Sequence, residues 1–285
     1  SSAASDVYKR QASYPKSGNT WLRALLTTYL YSSDAIFDFK NISKIYQFPA
    51  KVFFKGYSKI FKNIPDTAEF WIDAQNKINK DKYFRVFKTH NSFLTMNNHS
   101  FTNKKNTNGC IYILRDPRNT ITSIVNHYEM DYTEALNWMM DDKGLLYKKE
   151  NNEFREFQFL SSWKNHYKSW IGTKEFPVMA VRYEDLETSP LDTMKKIINF
   201  LIKVGDLKTT FNEEKAQKCI ESCKFENLEK KEINEGFKES PIGQKTGKKI
   251  KFFNLGKKND WQKILPDHIK DRMNEIFKED LDIWN

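Results

Sequence analysis

Short, wholly apolar runs alternate along this chain with longer stretches whose apolar residues recur at helical spacing. Residues 110–114 and 178–181 are continuous apolar segments, the pattern of strands buried on both faces. A third short strand is expected at 83–88. Leu22, Leu25, Leu26, Tyr29 and Leu30 fall on one helical face directly after a Ser17-Gly18-Asn19-Thr20 turn. Pro117 opens a second helix running to about Tyr128. Ser189-Pro190 opens another, which carries Leu191, Met194, Ile197, Ile198 and Leu201, because Ser caps well and Pro is tolerated in the first turn. A last amphipathic helix begins at Asp267, with Ile269, Met273, Ile276 and Phe277 on its apolar side. This alternation predicts an α/β fold, a central parallel sheet flanked by helices on both faces.

In such sheets ligands bind at the C-terminal ends of the strands. Lys16, His90, Arg115 and Tyr183 all fall at predicted strand ends. Two segments without long periodic runs, 37–71 and 131–159, lie beside strand ends and are expected to form a lid. Their aromatics, Tyr46, Phe48, Phe53, Phe54 and Tyr57, are expected to pack a small subdomain, with an aromatic- or lipid-binding pocket as the alternative. Residues 244–258 read as a lysine-rich loop.

At 285 residues the chain suits one large domain, and no apolar run approaches the ~20 residues of a membrane span. The formal charge of +10 would suit an anionic partner, but abundant Lys, Asn and Ile point to coding bias as its main origin. No arginine-rich arm or zinc-finger spacing supports nucleic acid. Cys110, Cys219 and Cys223 are odd in number and read as reduced thiols, with no metal site.

Lys16-Ser17-Gly18-Asn19-Thr20 opening a helix directs backbone N–H groups and the positive helix end at one spot, and Trp21 offers a face on which a purine can stack. The plain alternative is an ordinary turn capped by Ser or Thr. Arg115 and Ser123, eight residues apart across a strand-to-helix junction, suit a terminal phosphate, since arginine offers bidentate donors. The alternative is an Arg115–Asp116 surface pair. His90 at a strand end is a candidate base. His127 is a rival expected to face the packing side, and His166, between Trp163 and Trp170, reads as core.

Pro15-Lys16-Ser17-Gly18-Asn19-Thr20-Trp21 resembles the 5′-phosphosulfate loop of sulfotransferases that use 3′-phosphoadenosine 5′-phosphosulfate (PAPS). The run from Tyr112 to Asn119, with Ser123, resembles that family's 3′-phosphate segment, and Lys88-Thr89-His90 its Lys-Thr-His. Tyr183-Glu184-Asp185 resembles its adenine-side turn, and Phe225 an aromatic packed on the base. The resemblance spans residues 12–261 and implies a P-loop nucleotide-hydrolase-like three-layer sandwich. It implies a cytosolic-type enzyme that moves a sulfuryl group from PAPS, without metal, to a hydroxyl or amine.

The catalytic set it implies is His90 as base with Lys16, Lys88 and Ser123, Ser123 also steering Lys16. The donor set is Lys16, Ser17, Gly18, Asn19, Thr20, Trp21, Arg115, Ser123, Tyr183, Phe225, Asn254, Leu255 and Gly256. The acceptor is left as a small molecule, lipid or glycan, and the resemblance allows a homodimer. One departure stands out: Asn254-Leu255 replaces the family's Arg-Lys before Gly256, so a nearby lysine, Lys257, Lys258 or one of 245–251, would supply the lost charge. A P-loop kinase or NTPase and a non-catalytic basic anion or nucleic-acid binder are the alternatives. The first lacks Gly-x-x-x-x-Gly-Lys-Ser/Thr.

Residues 1–11 resemble the in-frame translation of a sequencing adaptor. They are expected to be a non-native leader before a single domain at 12–285 whose first apolar strand is largely missing.

Overall fold

The computed structural model describes residues 8–57, 65–81, 83–150, 153–243 and 245–284. Residues 1–7 of the expected leader, 58–64 and 151–152 of the two insertions, and Gln244 of the lysine-rich loop lie outside the described residues. The central sheet has five parallel strands: β1 (Tyr8–Ala12), β2 (Tyr46–Gln47), β3 (Val86–Thr89), β4 (Thr107–Leu114) and β5 (Val178–Arg182), in the order β2-β3-β1-β4-β5. Alternate residues of β4 enter different cores. Cys110, Tyr112 and Leu114 meet Ile121, Ile124, Trp163 and Trp170 on one face. Ile111 and Ile113 meet Leu22, Leu25, Met194 and Ile197 on the other. That is why the run reads as continuously apolar: each residue is inside, whichever way it points.

The helices that position the site are α1 (Asn19–Tyr31), α2 (Pro117–Tyr128), α3 (Trp163–Ile171) and α4 (Pro190–Gly205). α1, α2 and α4 start where the turn residues predicted. All three cysteines are buried and free.

The elements differ from the sequence reading in four places. The first strand, expected to be largely missing, is formed by Tyr8–Ala12, and four of its residues, 8–11, belong to the expected leader. Tyr46–Gln47 adds an edge strand that two residues could not announce. The second insertion is more regular than expected: a helix (Tyr132–Met140) opens with a capping box between Asp131 and Glu134, and a hairpin (Leu145–Glu150 with Glu153–Phe159) follows. The expected strand at 83–88 begins only at Val86, and Tyr83 is 70% exposed. Among the lid aromatics, Phe48 and Phe54 are buried in the core with Phe53 and Tyr57 against them. Tyr46 is exposed and lines the main cavity.

An apolar strand is what the centre of a parallel sheet calls for, yet β1 carries Lys9, Arg10 and Gln11, all buried. Arg10 is accommodated between the Phe48 and Phe101 rings and bonds to Gln75 and Thr107. Lys9 lies over the Phe84 ring at 4.6 Å, and burial lowers its pKa to about 8. A lysine depressed in the folded state costs stability when charged. That cost is fully present below pH 8 and fades as pH rises toward the unfolded value near 10.5. Lys9→Leu is therefore expected to raise unfolding stability at pH 7 by ~2 kcal/mol, with the gain shrinking above pH 8. Urea unfolding at pH 7 and 9.5 checks it, and a destabilised variant at pH 7 would contradict it.

Candidate active site

The loop from Tyr14 to Gly18 connects β1 to α1. Lys16 sits at φ 66° and Gly18 at φ 97°, both in the left-handed region where a lysine is uncommon. A Cβ on Gly18 would lie 2.4 Å from Cδ2 of Tyr183, so close approach and backbone conformation together demand glycine. The Asn19 side chain donates to Ser13 Oγ, and Gln11 donates to the Asn19 carbonyl, fixing the turn.

The plain reading of a Ser- or Thr-capped turn does not hold. The N-cap is Gly18, and no side chain caps α1. Its first-turn N–H groups are left for another acceptor. The buried Ser17 Oγ has no hydrogen-bond partner either.

One cavity of about 1100 Å³ opens over these strand ends. The loop side of its wall is formed by Lys16, Gly18, Asn19, Thr20 and Trp21, with Lys88 and His90 beyond them. Arg115, Ser123, Tyr183 and Phe225 line the cavity too, as do Asn254, Leu255 and Gly256. Ser17 belongs to the same loop but is buried behind that wall. The predicted segments, far apart in sequence, thus meet at one place.

Arg115 is free of Asp116, contrary to the surface-pair alternative. Asp116 caps α2 by accepting from the Arg118 backbone N–H and pairs with the Arg118 guanidinium at 2.7 Å. Arg115 lies over the Tyr183 ring, 4.0 Å from its centroid, and its Nη1 reaches Ser123 Oγ at 3.4 Å. Its buried Nε has no partner. Trp21 and Tyr183 are 5.3 Å apart, centroid to centroid, at 59°. Gly256 packs so closely on Phe225 that a Cβ would fall 2.5 Å from the ring. Of the lysines offered in place of the missing Arg-Lys pair, Lys257 lines the cavity.

His90 has a defined tautomer. Its Nδ1 is 2.8 Å from the Ser13 carbonyl oxygen, which can only accept, so Nδ1 carries the proton and Nε2 is left with a lone pair. Gln158 accepts from the His90 backbone N–H, and His166 Nε2 donates to the His90 carbonyl. His166 is fully buried and also bonded to Tyr112, the core role expected of it. Burial, and then the charge of Lys88, lower the His90 pKa to about 3.

His127 does not face the packing side. It lines the cavity, and its Nδ1 is 3.1 Å from Lys16 Nζ. Ser123, expected to steer Lys16, is engaged by Arg115 and by Asn259, whose Nδ2 donates to Ser123 Oγ at 3.2 Å.

Sequence reasoning also missed Glu239. It bonds Arg23 at 2.5 Å and Lys88 at 3.3 Å. Burial alone would raise this carboxyl, but Lys88 and Arg23 hold it at about 2. Nothing local to residue 239 announces partners at 23 and 88. His127 was findable, because it lies one helical turn after Ser123 on the same face.

The cavity gathers an uncapped helix N-terminus, Lys16, Lys88 and an Arg115 whose buried Nε is unpartnered, a set of donors suited to an anion. The family model for the sulfotransferase domain matches residues 12–285. The chain belongs to that family. Two plant members of the sulfotransferases resemble it along most of its length. Cytosolic sulfotransferase 16 of Arabidopsis thaliana is 27% identical, over 94% of this chain and 74% of its own. Flavonol 4′-sulfotransferase of Flaveria chlorifolia is 26% identical, over 94% and 77%. A mouse sulfotransferase solved with PAP superposes with a TM-score of 0.56, covering 96% of this chain and 84% of its own. At 16% identity that likeness is one of fold.

Proposed function

We propose that this sulfotransferase-family chain moves a sulfuryl group from PAPS to a hydroxyl or amine of a small acceptor by in-line displacement. The observation that carries this reading is the gathering of His90, Lys16 and Lys88 in one cavity with Arg115 and Ser123. The donor, when bound, supplies the sulfuryl group and a phosphate leaving group. His90 Nε2 takes the acceptor proton, as a neutral imidazole with its other nitrogen pinned can do. Lys16 and the N–H groups at the start of α1 stabilise charge developing on the leaving phosphate. Lys88, held by Glu239, adds positive charge beside His90. Arg115, Ser123 and Asn259 form the 3′-phosphate end, with Lys257 in place of the missing Arg-Lys pair. Tyr183, Trp21 and Phe225 offer aromatic surface for the base.

Among the described residues no helix is long and apolar enough to cross a membrane. The names of the plant relatives support a cytoplasmic setting.

Titration calorimetry with 3′-phosphoadenosine 5′-phosphate (PAP), 5′-AMP and ATP tests the donor end. PAP is expected to bind more tightly than 5′-AMP. Arg115→Ala is expected to lower PAP affinity by about 10- to 100-fold, the loss typical of a charge-assisted contact, and to leave 5′-AMP binding nearly unchanged. Equal affinity for the two nucleotides in the wild-type chain would overturn the assignment of that end.

A further inference from the structure

Among the described residues, the side chain hydrogen-bonded to Lys16 is an imidazole. His127 Nδ1 lies 3.1 Å from the Lys16 ammonium, and an ammonium can only donate, so Nδ1 accepts and the His127 proton resides on Nε2. The Phe252 ring completes the cage, with Lys16 Nζ 4.1 Å from its centroid and the His127 ring edge-on to it at 5.6 Å. Ser123, one turn earlier on α2, has its hydroxyl engaged by Arg115 and Asn259.

We propose that His127 is the positioning residue for Lys16, its Nδ1 accepting from the ammonium, favouring its protonated form and fixing its place in the cavity before the donor arrives. The importance of this for turnover rests on the functional reading above; the contact itself does not. In this chain the steering expected of Ser123 therefore falls to His127. Without it, Lys16 would be a buried cation faced by Arg115 at the end of β4 and Lys88 on β3. The carboxylates that offset them, Glu232 and Glu239, come from the segment after residue 224. Burial, and then those cations, bring the lysine to about 7, so a hydrogen bond to its ammonium can shift its charge in the neutral range. The groups facing His127 are Lys16, His90, Lys88, Glu239 and the neighbouring Tyr128 ring. Burial and the Lys16 charge lower the His127 pKa to about 2, so its Nδ1 lone pair stays available across the neutral range.

The test is to follow Lys16 in the full chain by carbon-13 NMR of the lysine ε-carbons from pH 5.5 to 9.5. The signal is assigned by its loss in Lys16→Met. In the wild-type chain the midpoint is expected near 7. His127→Phe and His127→Leu, which keep an apolar wall but remove the acceptor, are expected to lower it by about one pH unit. His127→Asn, whose amide oxygen accepts, is expected to restore it, a rescue that a purely packing role would not give. A midpoint unmoved in the two apolar variants, or lowered equally in all three, overturns the proposal. The functional reading fails by a separate result, PAP leaving the wild-type midpoint where it is.

Discussion

Replacing His90 by alanine is expected to lower the turnover rate by about 10²–10⁴, the usual contribution of a positioned general base, and to leave PAP affinity within about twofold. The argument rests on geometry first. Nδ1 is committed to the Ser13 carbonyl at 2.8 Å, so the ring is oriented and the basic nitrogen is Nε2. The environment then sets the charge. Burial and Lys88 hold His90 at about 3, far below the ordinary histidine value, so it is neutral over the whole physiological range.

A base must be deprotonated to act, so activity is lost only as pH falls through that depressed value. The acid limb of kcat/KM should accordingly lie well below pH 6 and be missing near 6.5, where an exposed histidine would put it. Both results are measured as transfer from radiolabelled PAPS to a panel of phenols and alcohols, with PAP binding by calorimetry as the control. A wild-type rate in His90→Ala would shift the base role elsewhere in the cavity. Loss of PAP binding in that variant would mean that the histidine holds the loop through Ser13 and does no proton transfer.

The chemistry of this chain was legible wherever a polar residue follows a buried strand. Arg115 could be assigned because the run before it is apolar on both faces, which fixes the direction of the sheet and so the edge at which ligands sit. Lys88-Thr89-His90 follows a mixed run that includes Arg85 and is placed by its resemblance to the family's Lys-Thr-His. Gly18 was legible as a turn residue, but its second constraint, the ring of Tyr183 against it, required knowing that residues 165 positions apart would touch. The same limit hid Glu239, whose partners Arg23 and Lys88 lie on other elements. β1 escaped the sequence reading for a different reason: residues 1–11 resemble an adaptor translation, which sets them outside the fold. Its Lys9, Arg10 and Gln11 break the apolar rule, and partners such as Phe48, Phe101 and Gln75 around Arg10 reconcile them with the centre of a sheet. The Tyr132–Met140 helix was passed over, although its Asp131-x-x-Glu134 box is a local signal that could have found it.

Lys16→Ala is expected to reduce turnover by about 10²–10³, the loss that follows removal of one preorganised donor to developing charge, and to abolish the pH dependence of PAP binding between 7 and 9. The second effect follows from the cost of keeping this lysine charged. Burial, followed by the charges of Arg115 and Lys88, lowers its pKa to about 7 in the ligand-free chain. A phosphate anion beside it favours the protonated form and raises that value. Binding above pH 7 therefore takes up a proton. Affinity is full below 7 and falls as pH rises, at most tenfold per unit, until the raised pKa is passed. Calorimetry in buffers of different ionisation enthalpy reads the uptake directly. It should vanish in Lys16→Ala, and the fold should not suffer, because removing a buried lysine whose charged form is disfavoured relieves a cost. Proton uptake that persists in Lys16→Ala would assign the titration to another group, and a preserved rate would remove Lys16 from the transfer step. If both effects appear, the lysine whose protonated form PAP extends above pH 7 is also the one that stabilises the leaving phosphate, and turnover should weaken in alkali as this side chain loses its proton.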